Sequence, residues 1–307
     1  MGTVFIGLGL ALPAIALNSL LLAIINGKKD VVTYVSANIV GSVLSLVVVG
    51  VLTYFGGLYG ALMAIAISPA ASLLATAALV ARRDWFKTAY LWGKLNRPVV
   101  KELSGFGLMG LTTAIMSPLA FMFIRNHLSQ TLGLNAAGFW QASWKISEIY
   151  LMLITLTLSM YYLPRLAEIK TRAELGKEIA KVYSVVLPMV ITGALVMYLL
   201  RDFIVERLFS NEFAPMRELF FWQLTGDILK IGSWILSYIM LGRAMVRTFV
   251  LTEVLFSLSF YALTVILVST NGLQGVAMAY AANYLMYWIV MAILVKNEMK
   301  KMELAHV

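Results

Sequence analysis

Nine stretches of this 307-residue chain are long and apolar enough to cross a lipid bilayer. A spanning helix needs about 20 apolar residues, and a bilayer admits only helices and closed barrels because it offers the backbone no water. No stretch alternates polar and apolar residues as a barrel strand does. The predicted fold class is therefore all-α, a polytopic membrane helix bundle. The predicted spans, labelled A to I, are 3–25, 32–54, 58–81, 104–124, 138–163, 182–200, 216–241, 248–268 and 273–295.

The composition agrees with a membrane chain. Hydrophobic residues make up 61% of the sequence and charged residues 13%, against about 45–50% and 25% in soluble domains. One soluble core could not bury that excess. The chain has no cysteine, which excludes disulfides, thiolate metal sites and cysteine nucleophiles.

Two segments 215 residues apart repeat one pattern. Gly57–Ala66 aligns with Gly272–Ala281, and six of the ten positions are identical. At the same offset Ser42 meets Ser257, so that spans A–C match spans G–I. Repeats built from membrane helices are typical of secondary transporters, with the solute pathway at the repeat interface. The alternative is chance similarity between two apolar segments.

Basic residues are distributed unevenly between the two sets of loops. Of 24 lysines and arginines, 18 follow spans A, C, E, G or I, whereas the opposite loops hold Arg125, Arg201, Arg207 and Arg217. Because basic loops mark the cytoplasmic side, we predict a cytoplasmic C-terminus. The pI near 9.6 could suggest nucleic-acid binding. Charge placed between spans instead serves topology and contact with anionic lipid heads, so no nucleic-acid partner is predicted.

The repeat and the topology together predict a larger architecture. A cytoplasmic C-terminus and nine spans place Met1 outside the cytoplasm, and spans D–F have no repeat partner. We therefore expect a chain that lacks the first three helices of a twelve-helix protein. The predicted domains are three remaining helices of an N-terminal lobe (1–81), a cytoplasmic connector (82–102) and a six-helix C-terminal lobe (103–307). The alternative is a genuine nine-span protein.

Span G carries the most polar helical face. Gln223, Asp227, Lys230 and Trp234 follow one another at helical spacing, and Arg217 lies at the outer end of the span. Charges inside a membrane usually face a wet cavity or a partner. One interpretation is a stripe facing a central cavity, where Lys230 and Arg217 meet a phosphate. The other is a neutralised Asp227–Lys230 pair that holds span G against its neighbours. We expect 201–215, between spans F and G, to be an external loop.

Span E carries a second polar group. It contains Gln141, Trp144, Lys145 and Glu148, and the last two can pair at i, i+3. We interpret this pair as facing a hydrated cavity. Arg125, which follows span D, could hold a phosphate at the cavity mouth or extend to the lipid headgroups.

The remaining intramembrane carboxylate is Glu253, near the cytoplasmic end of span H. It could serve as a proton or sodium site or simply be solvated. The sequence has no Walker A loop, no HExxH motif and no nucleophile elbow. We therefore predict no enzyme, no catalytic or metal-binding residue and no cofactor.

Several segments of the second half resemble the Wzx-type O-antigen translocases, which form part of the polysaccharide-transporter branch of the multidrug/oligosaccharidyl-lipid/polysaccharide (MOP) exporter superfamily. The resemblance covers nearly the whole chain and is most specific in 200–230. The segments that carry it are Leu200–Phe203, Ser210–Phe213, Met216–Phe220, Trp222–Leu224, Gly226–Lys230, Gly138–Gln141 and Tyr162–Pro164.

The resemblance implies a MATE-like fold of twelve helices in two six-helix lobes. It implies a flippase that moves an undecaprenyl-pyrophosphate-linked oligosaccharide, an O-antigen or enterobacterial common antigen repeat unit, across the bacterial inner membrane. Glycan polymerase and chain-length proteins would be further partners.

The candidate residues then take three roles. The phosphate candidates are Arg125, Lys145, Arg217 and Lys230. The sugar candidates are Gln141, Trp144, Gln223 and Trp234. The candidates for cation coupling or charge balance are Glu148, Asp227 and Glu253.

Two alternatives remain at this point. A cation-coupled multidrug exporter of the same superfamily would favour an acidic, aromatic pocket. A non-transporting membrane fragment or scaffold is the other, because a chain without half a lobe is expected to fold poorly and not to transport by itself.

Overall fold

The computed structural model describes residues 2–87 and 96–304. Every regular element among them is helical, which confirms the predicted all-α class. A π-helical segment, Leu158–Tyr162, follows α4, and a 3-10 helix, Asn211–Leu219, precedes α8. The α-helices are α1 Gly2–Gly27, α2 Val31–Val80, α3 Arg97–Thr131, α4 Leu134–Thr157, α5 Leu163–Glu168, α6 Arg172–Leu199, α7 Arg201–Leu208, α8 Phe220–Gly242, α9 Val246–Asn271 and α10 Gln274–Leu304.

The described residues contain eight helical segments long and apolar enough to cross a membrane. The second, α2, has 50 residues and a break in helical geometry at Gly57, so it holds both predicted spans B and C. Large apolar side chains face outward along the spans, and Leu10, Leu46 and Leu153 are each at least 70% exposed. Such surfaces belong in lipid, so the chain is a multi-pass membrane protein.

The chain divides into two compact units, Met1–Leu95 (unit 1) and Asn96–Val307 (unit 2). The division falls inside the predicted connector 82–102, of which residues 88–95 lie outside the described residues. The assignment of these parts to two lobes stays a prediction.

The backbone reproduces the sequence repeat in detail. The α1–α2 turn places Lys29 at φ 57°, and the α8–α9 turn places Ala244, 215 residues later, at φ 49°. The amide groups of Lys28 and Lys29 donate to the carbonyls of Ile24 and Asn26, and the amides 215 residues later do the same to carbonyls at the same offset. The two segments therefore share turn geometry as well as residue types.

Asp30 caps the N-terminus of α2 in unit 1. Its carboxylate accepts hydrogen bonds from the Thr33 hydroxyl (2.7 Å) and the Thr33 amide (3.1 Å), and lies 3.3 Å from Nε of Arg83. These hydrogen bonds, together with the Arg83 charge, hold the pKa of Asp30 below its ordinary value. The cap satisfies an amide that the first turn of α2 would otherwise leave unpaired.

The central helix of unit 2 is α8. In the apolar part of the span Asn211–Gly242, which ends with α8, 61% of the residues are buried, against at most 39% in the apolar part of any other described span. Helix α8 contacts α4, α6 and α10. This position explains why polar side chains on different faces of α8 meet different neighbours.

Candidate functional site

A cavity of about 680 Å³ opens in unit 2 between α3, α4, α8, α9 and α10. We call it the Lys230 cavity. Three charged side chains line it, and all three were predicted as site residues: Lys230, Glu148 and Glu253. Trp144 and Trp234, predicted as sugar contacts, line it as well. The Lys230 cavity therefore brings together predicted site residues of spans E, G and H.

Aromatic rings surround the Lys230 ammonium. Its Nζ lies 4.8 Å from the ring centroid of Trp234, 5.0 Å from that of Trp144 and 5.9 Å from that of Tyr284. Cation–π contacts of this kind stabilise a charge by about 0.5–2 kcal/mol each when it is partly desolvated. They stabilise the ammonium without cancelling its charge.

Hydroxyl and amide groups supply the rest of the polar lining. Ser117, Ser257 and Asn283 line the Lys230 cavity with Glu253, and Asn283 accepts a hydrogen bond from Ser259. This hydrogen bond joins α9 to α10. Such groups suit a ligand that carries hydroxyls.

A second cavity, of about 530 Å³, lies between α3 and α4. We call it the Arg125 cavity. Its lining includes the predicted residues Arg125, Gln141 and Lys145. Both cavities are lined by four shared residues: Ser117, Phe121, Trp144 and Glu148. The two spaces therefore adjoin at a common wall.

Glu148 is bound to two neighbours in that wall. Its Oε2 lies 2.7 Å from Nζ of Lys145, and its Oε1 accepts a 3.2 Å hydrogen bond from Nε1 of Trp144. The predicted i, i+3 pair is thus present. Its side chains are well exposed, at 72% for Lys145 and 48% for Glu148. Because exposed charge is costly in hydrocarbon, this face of unit 2 requires water or polar partners.

The polar stripe predicted on α8 splits into two halves. Lys230 and Trp234 line the Lys230 cavity, whereas Gln223 and Asp227 are buried against other helices. The Asp227 carboxylate accepts hydrogen bonds of 2.9 Å from the hydroxyls of Tyr150 and Tyr280. Asp227 and Lys230 therefore form no direct ion pair in the described structure, although the charge of each acts on the other. The carboxylate is held by tyrosines of α4 and α10.

Gln223 has a packing role in this network. Its Nε2 donates to Oγ of Ser147 over 3.2 Å, and the residue is 2% exposed. It is not among the residues that line the described cavities. The side chain is enclosed between α4 and α8, and a sugar contact of Gln223 stays a prediction.

Arg217 is held on the outside of unit 2. Its guanidinium lies 3.0 Å from Asp202 and 2.8 Å from Glu206, both on α7. The predicted external loop 201–215 is instead α7 followed by the 3-10 helix. Helix α7 places Asp202 and Glu206 one turn apart, and both pair with Arg217. A phosphate contact of Arg217 stays a prediction.

The sequence prediction missed the tyrosines of α10. Tyr284 contacts Lys230, Tyr280 binds Asp227, and Tyr287 donates a 2.9 Å hydrogen bond to Ser237. Their i, i+4, i+7 spacing is a helical face that a search restricted to charged residues overlooks. No cluster of three or more metal-ligating side chains occurs among the described residues.

Two curated relatives are similar to nearly the whole chain. The lipid III flippases of Escherichia coli (strain K12) and Shigella flexneri are each 34% identical to it over 278 residues. The match covers 89% of this chain and 66% of each relative, so the chain spans slightly less than two thirds of their length. No protein-family model matches the chain.

Solved structures share the fold at lower identity. A MATE-family multidrug resistance transporter of the MOP superfamily in an outward-facing conformation has a TM-score of 0.82 and 14% identity, and covers 93% of this chain. A mutant of the Vibrio cholerae MATE transporter VcmN has a TM-score of 0.79 and 15% identity, and covers 94%. The chain covers 67% of each of these two structures.

Proposed function

We propose that the chain belongs to the lipid III flippase-like branch of the MOP exporter superfamily and that it acts in moving undecaprenyl-pyrophosphate-linked oligosaccharide across a membrane. The repeat unit of an O-antigen or of enterobacterial common antigen is the substrate class. This is transport rather than enzyme chemistry, in agreement with the absence of catalytic motifs in the sequence.

The observation that carries the proposal is the setting of Lys230. Lys230 is held among three aromatic rings inside a cavity and forms no direct ion pair in the described structure, although the carboxylates of Asp227 and Glu148 lie near enough to act on its charge. Its ammonium therefore suits an anionic group. The pyrophosphate of the substrate supplies that group, and its sugars supply faces that stack on tryptophan and hydroxyls that need polar partners. The lipid tail has no need to enter the cavity.

The proposed roles follow the two cavities. Lys230 binds phosphate in the Lys230 cavity, and Arg125 and Lys145 do so in the Arg125 cavity. Sugar contacts come from Trp144, Trp234 and Gln141. Glu148 and Glu253 balance charge or couple a cation, while Asp227 supports the site through Tyr150 and Tyr280.

The membrane and the orientation are part of the same proposal. An undecaprenyl-linked substrate and the family relationship favour the bacterial inner membrane. The excess of lysine and arginine after spans A, C, E, G and I favours a cytoplasmic C-terminus. Proteins that polymerise the glycan or set its chain length are proposed as partners on the family relationship alone.

The test is retention of ligand by the purified full chain in native mass spectrometry. We expect the protein to retain undecaprenyl-pyrophosphate-linked glycan, and Lys230→Gln to lower retention about tenfold, a loss of about 1.4 kcal/mol. Lys301→Gln is the control, because Lys301 is 74% exposed and pairs with Glu298 outside both cavities. Equal retention by wild type and Lys230→Gln would contradict the assignment of Lys230.

The drug-exporter alternative has one observation in its favour. Glu148 and Glu253 line the Lys230 cavity together with several aromatic rings, a lining that also suits an organic cation. Ethidium is therefore added as a competitor in the same experiment. Displacement of the glycan lipid only by excess pyrophosphate supports the flippase proposal, whereas tight ethidium binding without glycan retention supports the exporter.

A further inference from the structure

We infer that Glu148 is a displaceable counter-ion in the wall between the two cavities: it keeps Lys145 neutralised until a pyrophosphate-type anion, held first at Lys230, crosses the wall and takes Lys145 over. The inference rests on the proposed function and adds to it an order of binding and a residue that controls the step.

The charges of the two cavities are arranged for such a step. In the described structure Lys230 and Arg125 form no ion pair, whereas Lys145 is already paired with Glu148 at 2.7 Å. An anion therefore finds in each cavity a cation without an ion pair, and a paired one at the wall between them. Without Glu148, Lys145 would become a third cation without an ion pair, and an anion at the wall would be held more strongly, although Glu253 and Asp227 still oppose it from the side of Lys230.

The position of Glu148 allows it to act on both sides. It lines both cavities, as does Trp144, whose indole contacts the Lys230 ammonium with its ring and Glu148 with its N–H. An anion that draws Lys230 away from the Trp144 ring thus disturbs the group that helps to hold Glu148. Because the Glu148 carboxylate borders both cavities, it can then release Lys145 by a change of its own side chain.

The two cavities also lie one after the other along α3. On α3 the Lys230 cavity begins at Met109, and the Arg125 cavity ends at Arg125, nearer the turn to α4. With the orientation proposed above, the Lys230 cavity is nearer the cytoplasm. Passage across the wall at Glu148 therefore has the direction that export requires.

If the Lys145–Glu148 pair only stabilised α4, its loss would change stability slightly and leave anion binding unchanged. Exposed i, i+3 ion pairs on a helix contribute about 0.2–0.5 kcal/mol. The chain offers a comparison pair of the same i, i+3 spacing, Glu298 and Lys301 on α10, with a nitrogen–oxygen distance of 3.6 Å, side chains 20% and 74% exposed, and no place in either described cavity. Removing the carboxylate of each pair separates an effect on anion binding from an effect on the helix.

The experiment measures binding of inorganic pyrophosphate to the full chain in nanodiscs of zwitterionic lipid, by calorimetry at low and high salt. We expect Glu148→Gln to bind pyrophosphate about fivefold more tightly than wild type at low salt, and by a smaller factor at high salt. The double variant Lys145→Gln/Glu148→Gln restores the charge balance and is expected to return to within about twofold of wild type. Glu298→Gln should match wild type, and Lys230→Gln should bind more weakly.

Unchanged or weaker pyrophosphate binding by Glu148→Gln, with an unchanged thermal midpoint, overturns the inference while leaving the proposed function standing. Wild-type protein that binds no pyrophosphate also overturns it. In that case retention of the glycan lipid, measured separately, decides whether the proposed function survives. A lowered thermal midpoint in both Glu148→Gln and Lys145→Gln with equal affinity would assign the pair to helix stability alone.

Discussion

Gly57 and Gly272 have the same backbone conformation, with φ/ψ angles of 52°/−136° and 57°/−137°. They stand at corresponding positions of the two repeat segments. Three residues later, a Cβ on Gly60 would lie 1.8 Å from the carbonyl oxygen of Leu52, and one on Gly275 would lie 2.2 Å from that of Leu267. The Gly-x-x-Gly pattern is thus a backbone requirement of a sharp helix–helix turn, and it explains why these glycines carry the repeat.

The first prediction concerns this turn. Gly272→Ala places a Cβ on a backbone conformation that residues other than glycine rarely adopt. We therefore expect the free energy of unfolding to fall by about 1–3 kcal/mol and the thermal midpoint in detergent to fall by several degrees. Gly107→Ala is the control, because Gly107 is within α3 and nothing lies within 4 Å of its added Cβ. A midpoint equal to that of the control would show that the turn is not strained by alanine.

The second prediction concerns the Asp30 cap. Because its pKa is lowered in the folded protein, its contribution to stability is present above the unfolded pKa of about 3.9 and is lost as the pH falls through the folded value. The protection factor of the Thr33 amide, which divides out the intrinsic pH dependence of exchange, should therefore stay constant from pH 7 to pH 5 and decrease below about pH 4. In Asp30→Asn, whose amide can still cap, this acid-induced loss of protection should disappear. The same loss in both proteins would assign it to another group.

Much of the fold follows from local patterns in the sequence. Apolar length predicts the spans, and the offset between the two Gly-x-x-Gly segments predicts two equivalent turns. Spans B and C correspond to the two parts of α2, which meet at Gly57. Gly57 has the backbone conformation of Gly272, which separates α9 from α10, so the turn predicted between spans B and C is present.

The site could be predicted only in part, because helical spacing defines a face but not its neighbour. The Lys145–Glu148 pair is local and was found from its i, i+3 spacing. Asp227 has partners 77 and 53 residues away, Tyr150 and Tyr280, which no local pattern connects to it. Lys230, three residues further on, turns to the cavity instead.

The third prediction separates Arg217 from the binding site. Because its partners are Asp202 and Glu206 on the outer surface, Arg217→Gln should lower the free energy of unfolding by about 0.5–1 kcal/mol and leave pyrophosphate affinity unchanged. Calorimetry and thermal denaturation of the same preparation measure both quantities. Arg207→Gln, a second cation of this region that contacts Phe203, controls for the loss of positive charge. Weaker pyrophosphate binding in Arg217→Gln alone would restore the role that the sequence suggested.

The last prediction concerns the buried hydrogen bonds of Asp227. Tyr280→Phe removes a donor from a carboxylate that is 0% exposed, so we expect a loss of about 1–3 kcal/mol in the free energy of unfolding. Tyr261→Phe is the control, because the Tyr261 hydroxyl forms no hydrogen bond among the described residues, and its effect should stay within about 0.5 kcal/mol.

A double-mutant cycle with Asp227→Leu, which is similar in size and accepts no hydrogen bond, tests whether the effect of Tyr280→Phe acts through this carboxylate. The loss should shrink by about 0.5–3 kcal/mol in the Asp227→Leu background. An undiminished loss in that background would mean that the Tyr280 hydroxyl stabilises unit 2 through another group.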